Sequence, residues 1–154
     1  MTEQRSYYHS PIGYFELVAT DDGLTGCYFM DETPTVTPTS HPILQLAVTQ
    51  LDAYFNKTLQ QFTIPLDLKG TAFRQQVWQV LQMIPFGKTI SYIDIATQVG
   101  NPKASRAIGQ ANHYNPVPII VPCHRVINRS GKLGGYGGGL WRKEWLLAHE
   151  QTAL

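Results

Sequence analysis

The sequence predicts an α+β chain, strand-rich in its first half and mainly helical in its second. Three observations carry that reading. Aromatic and β-branched residues crowd the first 30 positions between turn signals, apolar residues recur at helical spacing from Phe73 onward, and the charge changes sign near Lys69. Residues 1–69 hold three basic and eight acidic groups, net −5; residues 70–154 hold nine and three, net +6, so the overall +1 conceals two unlike halves. We read one domain over 1–69 and a second over 70–154. The basic half points to a polyanionic partner.

The elements follow in order. Tyr7, Tyr8, Ile12, Tyr14, Phe15, Leu17 and Val18 form strand-type sequence, punctuated by turns at Pro11 to Gly13 and at Asp21-Asp22-Gly23. Leu24 to Met30 is a further strand, and residues 31–41 are a surface loop. Leu44, Val48, Leu51 and Phe55 fall at helical spacing, and Phe62 to Leu68 is expected as a short strand. In the second half Phe73, Val77, Val80, Leu81 and Ile84 make a helical stripe that Pro85 ends. Ser91 with Asp94 opens the next helix as a capping box, carrying Ile95, Ala96 and Val99 as far as Gly100. Asn101-Pro102 is read as an N-cap and first helical residue, starting a helix with Ala104, Ile108 and Ala111 on one face. Two short helices joined around a glycine form a helix-turn-helix pattern. The outer side of the second is built of small residues (Ser105, Ala107, Gly109). A helix is about 10–12 Å across and a B-DNA minor groove about 6 Å, so small side chains suit close approach to a widened groove. They equally suit tight helix packing.

Composition sets limits. With 154 residues, 43% hydrophobic and 15% charged, the chain can bury a core, which excludes disorder for most of its length. No apolar run reaches the length of a membrane span. The segment from Met1 to Leu17 lacks the basic-then-apolar pattern of a secretory signal. Two cysteines, Cys27 and Cys123, provide neither a disulfide framework nor a four-cysteine metal site. A soluble, cytoplasmic protein with reduced thiols is expected.

Chemistry concentrates in Asn115-Pro116-Val117-Pro118-Ile119-Ile120-Val121-Pro122-Cys123-His124-Arg125-Val126. Cys123 is either a buried structural cysteine or a nucleophile activated by His124. On an extended segment neighbouring side chains point apart, which favours a bridging water over a direct Cys123–His124 bond. A neutral histidine also needs a third group to fix its tautomer, and Glu150 is one of only three acids in this half. The glycine-rich run 131–139 lacks phosphate-loop spacing. Beside a nucleophile it can donate N–H groups to an oxygen that gains charge.

These residues closely resemble the O6-alkylguanine-DNA alkyltransferase family. The likeness extends through Phe86-Gly87, Ser91-Tyr92, Gly100-Asn101-Pro102-Lys103-Ala104, Arg106-Ala107, Gly138-Gly139-Leu140 and Lys143-Glu144-Trp145-Leu146-Leu147, over roughly residues 70–150. It implies a small RNase H-like N-terminal domain and a helical C-terminal domain with a DNA-binding helix-turn-helix. It implies Cys123 as alkyl acceptor, His124 as water-mediated base, Glu150 as its orienting carboxylate and Asn115 as the hinge between recognition helix and active-site loop. Tyr92 matches the tyrosine that rotates the 3′ phosphate and donates a proton toward the purine. Arg106 matches the arginine that replaces the flipped base in the stack, and Asn101 and Arg129 match backbone contacts. Tyr136 matches the pocket wall, the Cys123 and Val126 carbonyls match acceptors of the guanine amino group, and Gly137 stands where some members have serine.

The implied reaction is an irreversible, single-turnover transfer of the alkyl group from O6-alkylguanine to Cys123 after base flipping, with O4-alkylthymine a further candidate substrate. The expected partner is double-stranded DNA bound by a monomer through the minor groove. No cofactor is expected, because the damaged DNA supplies the alkyl group. Cys27 with His9 and His41 is too irregular for the zinc site of some members, so no metal is expected. Three rival readings are a non-catalytic lesion sensor, a helix-turn-helix regulator and a Cys-His hydrolase.

Overall fold

The computed structural model describes residues 2–151, and the chain folds as two compact units that divide between Lys69 and Gly70. In the first, β1 (Gln4–Ser10), β2 (Gly13–Ala19) and β3 (Leu24–Met30) make an antiparallel sheet in the order β1-β2-β3. The Pro11 to Gly13 and Asp21-Asp22-Gly23 signals form the two connections: Ser10 pairs with Gly13, and the Thr20 N–H reaches the Gly23 carbonyl at 3.0 Å. Helix α1 (Pro42–Phe55) starts on His41, whose ring accepts from the Ile43 N–H, with proline at the first helical position. Its buried Leu44, Ala47, Leu51 and Tyr54 share a core with Phe15, Leu17, Leu24 and Cys27.

The expected strand from Phe62 to Leu68 is not formed. Only a single parallel bridge joins Leu24 to Leu66. Pro65 has no N–H to give a ladder; its carbonyl accepts from Leu24, and Asp67 returns one bond to the Leu24 carbonyl.

In the second unit α2 (Ala72–Gln82) buries Val77, Trp78 and Leu81. The Trp78 indole N–H donates to the Ala111 carbonyl at 2.9 Å, fixing α2 to α4 (Ser105–His113). Ser91 caps α3 (Tyr92–Gln98), and both bonds of its capping box with Asp94 are present. Helix α4 begins three residues later than Asn101-Pro102 suggested, and has no side-chain cap. The reason is local. The Ala104 N–H donates to the Asn101 carbonyl, so Pro102 occupies the second position of a turn rather than the first of a helix. Two short strands, β4 (Ile90–Ser91) and β5 (Val126–Ile127), pair in parallel and tie the start of α3 to the chain just after Cys123. Helix α5 (Leu140–Gln151) buries Lys143, Leu146, His149 and Glu150 along one face.

Candidate active site

Three prolines, Pro116, Pro118 and Pro122, restrict the backbone of the segment before Cys123. Asn115 braces it: its Oδ1 accepts from the Val117 N–H at 3.0 Å and its Nδ2 donates to the Val121 carbonyl at 2.8 Å. Inside this braced loop Ile119 is fully buried with φ +75°, a strained conformation for a β-branched residue. The chain then enters a 3₁₀ turn over Cys123–Arg125. The expected extended backbone at Cys123-His124 is thus replaced by a helical one. The Arg125 N–H on the Pro122 carbonyl and the Val126 N–H on the Cys123 carbonyl close the turn.

Glu150 gathers this turn onto α5. His124 Nε2 lies 2.6 Å from Glu150 Oε2, and Arg125 reaches both carboxylate oxygens, Nε to Oε1 at 2.8 Å and Nη2 to Oε2 at 3.0 Å. The Gly87 N–H adds a fourth donor at 3.1 Å, and Arg125 Nη1 donates to the Ile84 carbonyl at 2.7 Å. Burial pushes the Glu150 carboxyl up, but His124 and Arg125 more than offset that and hold it well below the usual range. An ionised carboxylate only accepts, so His124 Nε2 carries the hydrogen. The other ring nitrogen, Nδ1, is buried with no hydrogen-bond partner. Burial holds the imidazole neutral, its pKa pushed down despite the pull of Glu150.

Cys123 lies at the wall of a cavity of about 800 Å³. Burial raises its thiol pKa, while Asn115 and the charge of Lys143 pull it down. Tyr92, Arg106, Arg129, Tyr136 and Gly137 line the same cavity, drawn from α3, α4 and the 128–139 loop. A side chain at Gly134 would place its Cβ 3.2 Å from the Tyr92 hydroxyl, and its φ is +73°, so glycine is needed where this loop meets Tyr92. Burial, then the nearby Cys123, raises the Tyr92 pKa, which keeps its phenol protonated.

Other expected residues stand elsewhere. His124, Asn115 and Glu150 are buried behind Cys123. Asn101 is exposed and is not among the cavity residues. Val126 is also absent from the lining, and its carbonyl accepts from Lys143 Nζ at 2.6 Å. Among the described residues no group of three His, Cys, Asp or Glu could hold a metal ion.

Two residues with structural authority over the site carried no role in the sequence reading. Arg125 anchors Glu150. Lys143 is fully buried and donates to the carbonyls of Val126, Leu133 and Gly135, binding the glycine-rich loop to the active-site strand. Its pKa is pushed down to about 8 by burial. Its signal was the spacing: Lys143, Leu146 and Glu150 fall on one helical face.

Comparison with known proteins covers nearly the whole chain. Residues 72–152 match the family described as 6-O-methylguanine DNA methyltransferase, DNA binding domain, and residues 4–68 match its ribonuclease-like domain. A methylated-DNA–protein-cysteine methyltransferase of Mycolicibacterium paratuberculosis is 52% identical over 146 residues, covering 92% of this chain and 88% of that protein. The crystal structure of the Mycobacterium tuberculosis O6-methylguanine methyltransferase superposes with a TM-score of 0.89 at 45% identity, covering 99% of this chain and 95% of the other. A Mycobacterium tuberculosis OGT in complex with DNA gives 0.85 at 48% identity, over 96% and 93%.

Proposed function

The chain belongs to the 6-O-methylguanine DNA methyltransferase family, and from that premise we propose that Cys123 is the residue that accepts the alkyl group of O6-alkylguanine. The activity is that of a DNA-binding, methylated-DNA–protein-cysteine methyltransferase, which repairs alkylated DNA. The observation that carries the assignment of Cys123 is its place at the cavity wall, with the His124–Glu150–Arg125 array directly behind it.

The chemistry follows from that placement. Cys123 rests as a thiol, since burial raises its pKa, and a base must take its proton. His124 Nδ1 is the available nitrogen, reached through a water, and the ionised Glu150 stabilises the imidazolium that results. The thiolate sulfur attacks the alkyl carbon; the C–S bond forms as the C–O6 bond breaks, and the electron pair passes to O6 and the purine ring. The protonated Tyr92 hydroxyl supplies a proton to the departing purine and regains it by way of solvent from His124. The S-alkylcysteine product is a thioether without an easily hydrolysed bond, so each molecule acts once. The lesion lies inside a duplex and must be extruded, at about a few kcal/mol of unstacking and unpairing. Arg106 fills the gap in this reading, and its exposure on α4 supports it. The α4 surface suits minor-groove approach by a single copy of the chain: Ala107 is exposed, and a Cβ added at Gly109 would meet nothing within 4 Å.

The test is intact-protein mass spectrometry after mixing with a duplex carrying one O6-methylguanine, followed by peptide mapping. One methyl group on Cys123, and never more than one per protein, is the expected outcome, with none on Cys123→Ala. Lesion binding without methyl gain would replace the reading with a non-catalytic sensor. Neither binding preference nor gain would remove it.

A further inference from the structure

His124 and Arg125 are neighbours in the 3₁₀ turn, and both close on the carboxylate of Glu150. They share one of its oxygens. Glu150 Oε2 meets His124 Nε2 at 2.6 Å and Arg125 Nη2 at 3.0 Å, while Arg125 Nε takes Oε1 at 2.8 Å. The remaining arm of the guanidinium, Nη1, is fixed on the Ile84 carbonyl at 2.7 Å. His124, Arg125 and Glu150 are 0%, 5% and 1% exposed, so solvent screens these charges little.

Charged and titratable groups face the imidazole from its own turn and from α5. Glu150 on α5 draws a proton onto it, Arg125 beside it and Lys143 on α5 oppose one, and Cys123 precedes it in the turn. Lys143 is committed to three carbonyls, whereas Arg125 acts on the carboxylate itself. Without Arg125, an ionised carboxylate at 2.6 Å would favour the charged form of His124. The resting ring would then be an imidazolium, with no lone pair at Nδ1 to receive the Cys123 proton. With Arg125 in place the guanidinium and carboxylate charges cancel. The array is then neutral only while His124 is neutral.

We propose that Arg125 is a positioning residue for the transfer, which acts through Glu150 to keep His124 Nδ1 unprotonated until Cys123 delivers its proton. The proton count closes. The Sγ proton passes through water to Nδ1, leaving a thiolate and an array of charge +1. The C–S bond forms as the C–O6 bond breaks, and the negative charge moves to the purine. Tyr92 protonates the purine and regains its proton by way of solvent from His124, which returns the array to neutrality. The guanidinium favours that return as well, because it repels the imidazolium. The proposal rests on the reading of Cys123 as alkyl acceptor and His124 as its base.

The experiment follows methyl transfer to Cys123 from saturating O6-methylguanine duplex by mass spectrometry, between pH 5.5 and 8.5, in the wild type, Arg125→Gln and Arg125→Lys. Lys143 is common to all three, so rates are compared as ratios to the wild type at each pH. Arg125→Gln deletes the charge and can still donate a hydrogen bond. Its acid limb should lie about one to three pH units above that of the wild type. It should therefore be about tenfold or more slower at the acid end, and recover toward the wild type as pH rises. Arg125→Lys restores a cation, so its limb should return toward the wild-type position. Its rate stays lower, because an ammonium lacks the fork that spans both oxygens. A purely structural arginine would slow transfer by one factor at every pH, so a limb that stays in place or moves down in Arg125→Gln overturns the proposal. Circular dichroism checks folding. If Arg125→Gln is unfolded, the imidazole nitrogen-15 shifts of the wild type decide. His124 is expected with its hydrogen on Nε2 and Nδ1 bare, and a native His124 that titrates at or above its ordinary value of 6.5 overturns the proposal. A wild-type protein that takes no methyl from the duplex overturns instead the reading on which the proposal rests.

Discussion

Glu150 meets four donors while only 1% exposed, so the fold accommodates its ionised form. Removing that charge in Glu150→Gln leaves Arg125 buried without a counter-ion, a loss of about 3–5 kcal/mol at neutral pH. The native carboxyl titrates below its ordinary value of 4.5. Its contribution is therefore complete above about pH 4.5 and is lost as pH falls toward the depressed native value. Urea unfolding between pH 3 and 6 should show a steep acid decline in the wild type and a shallower one in the variant; parallel declines would refute the assignment. Lys143 obeys the opposite rule. Burial lowers its pKa from 10.5 to about 8, so between those values the unfolded chain binds a proton that the native chain has lost. Wild-type stability relative to Lys143→Met should thus rise with pH across that window. The same charge lowers the Cys123 pKa. In Lys143→Met the pH midpoint for alkylation of Cys123 by iodoacetamide should move upward, and an unmoved midpoint would show that Lys143 acts only as a loop tether.

At the scale of elements, the braced loop 115–122 stores backbone strain next to the nucleophile. Ile119 combines φ +75° with complete burial, so packing must outweigh the unfavourable conformation. Both Ile119→Ala and Ile119→Gly delete that packing, at about 2–5 kcal/mol. Only alanine still has a Cβ in the left-handed region, so the glycine variant should be the more stable by about 1 kcal/mol. Thermal unfolding decides it, and equal stability would mean that Ile119 is not strained in solution. Legibility in the sequence divides in the same way. The capping box at Ser91 and the stripes of α1 and α2 were plain, because each depends on residues within a turn or two of one another. The pairing of His124 with Glu150 came only from the family likeness, since no local rule joins positions 26 apart. Tertiary context defeated local rules at Asn101-Pro102, where a good cap sequence became a turn, and at Phe62 to Leu68, where Pro65 denied the strand its ladder. Lys143 left a weak trace: its importance depends on which oxygen atoms the fold brings to it.

For the molecule as a whole, the +6 of residues 70–154 overstates what DNA meets. Arg125 is buried against Glu150, and Lys143 is buried against three carbonyls. Of the remaining basic residues, Lys103, Arg106, Arg129 and Lys132 are all exposed and lie at the start of α4 and in the 128–132 turn. Those two segments supply Arg106 and Arg129 to the cavity lining. If Arg106 enters the base stack, it neutralises no phosphate, leaving about three phosphate contacts and a slope of log K against log salt of about −3. Arg129→Ala should then reduce the slope by about one. Arg106→Ala should weaken lesion binding yet leave the slope nearly unchanged, because the interaction it removes is stacking rather than counter-ion release. Fluorescence anisotropy over a salt series, with undamaged and O6-methylguanine duplexes, separates the two arginines. Equal flattening by both substitutions would place Arg106 on the backbone, and a wild-type slope near zero would remove the electrostatic account of binding altogether.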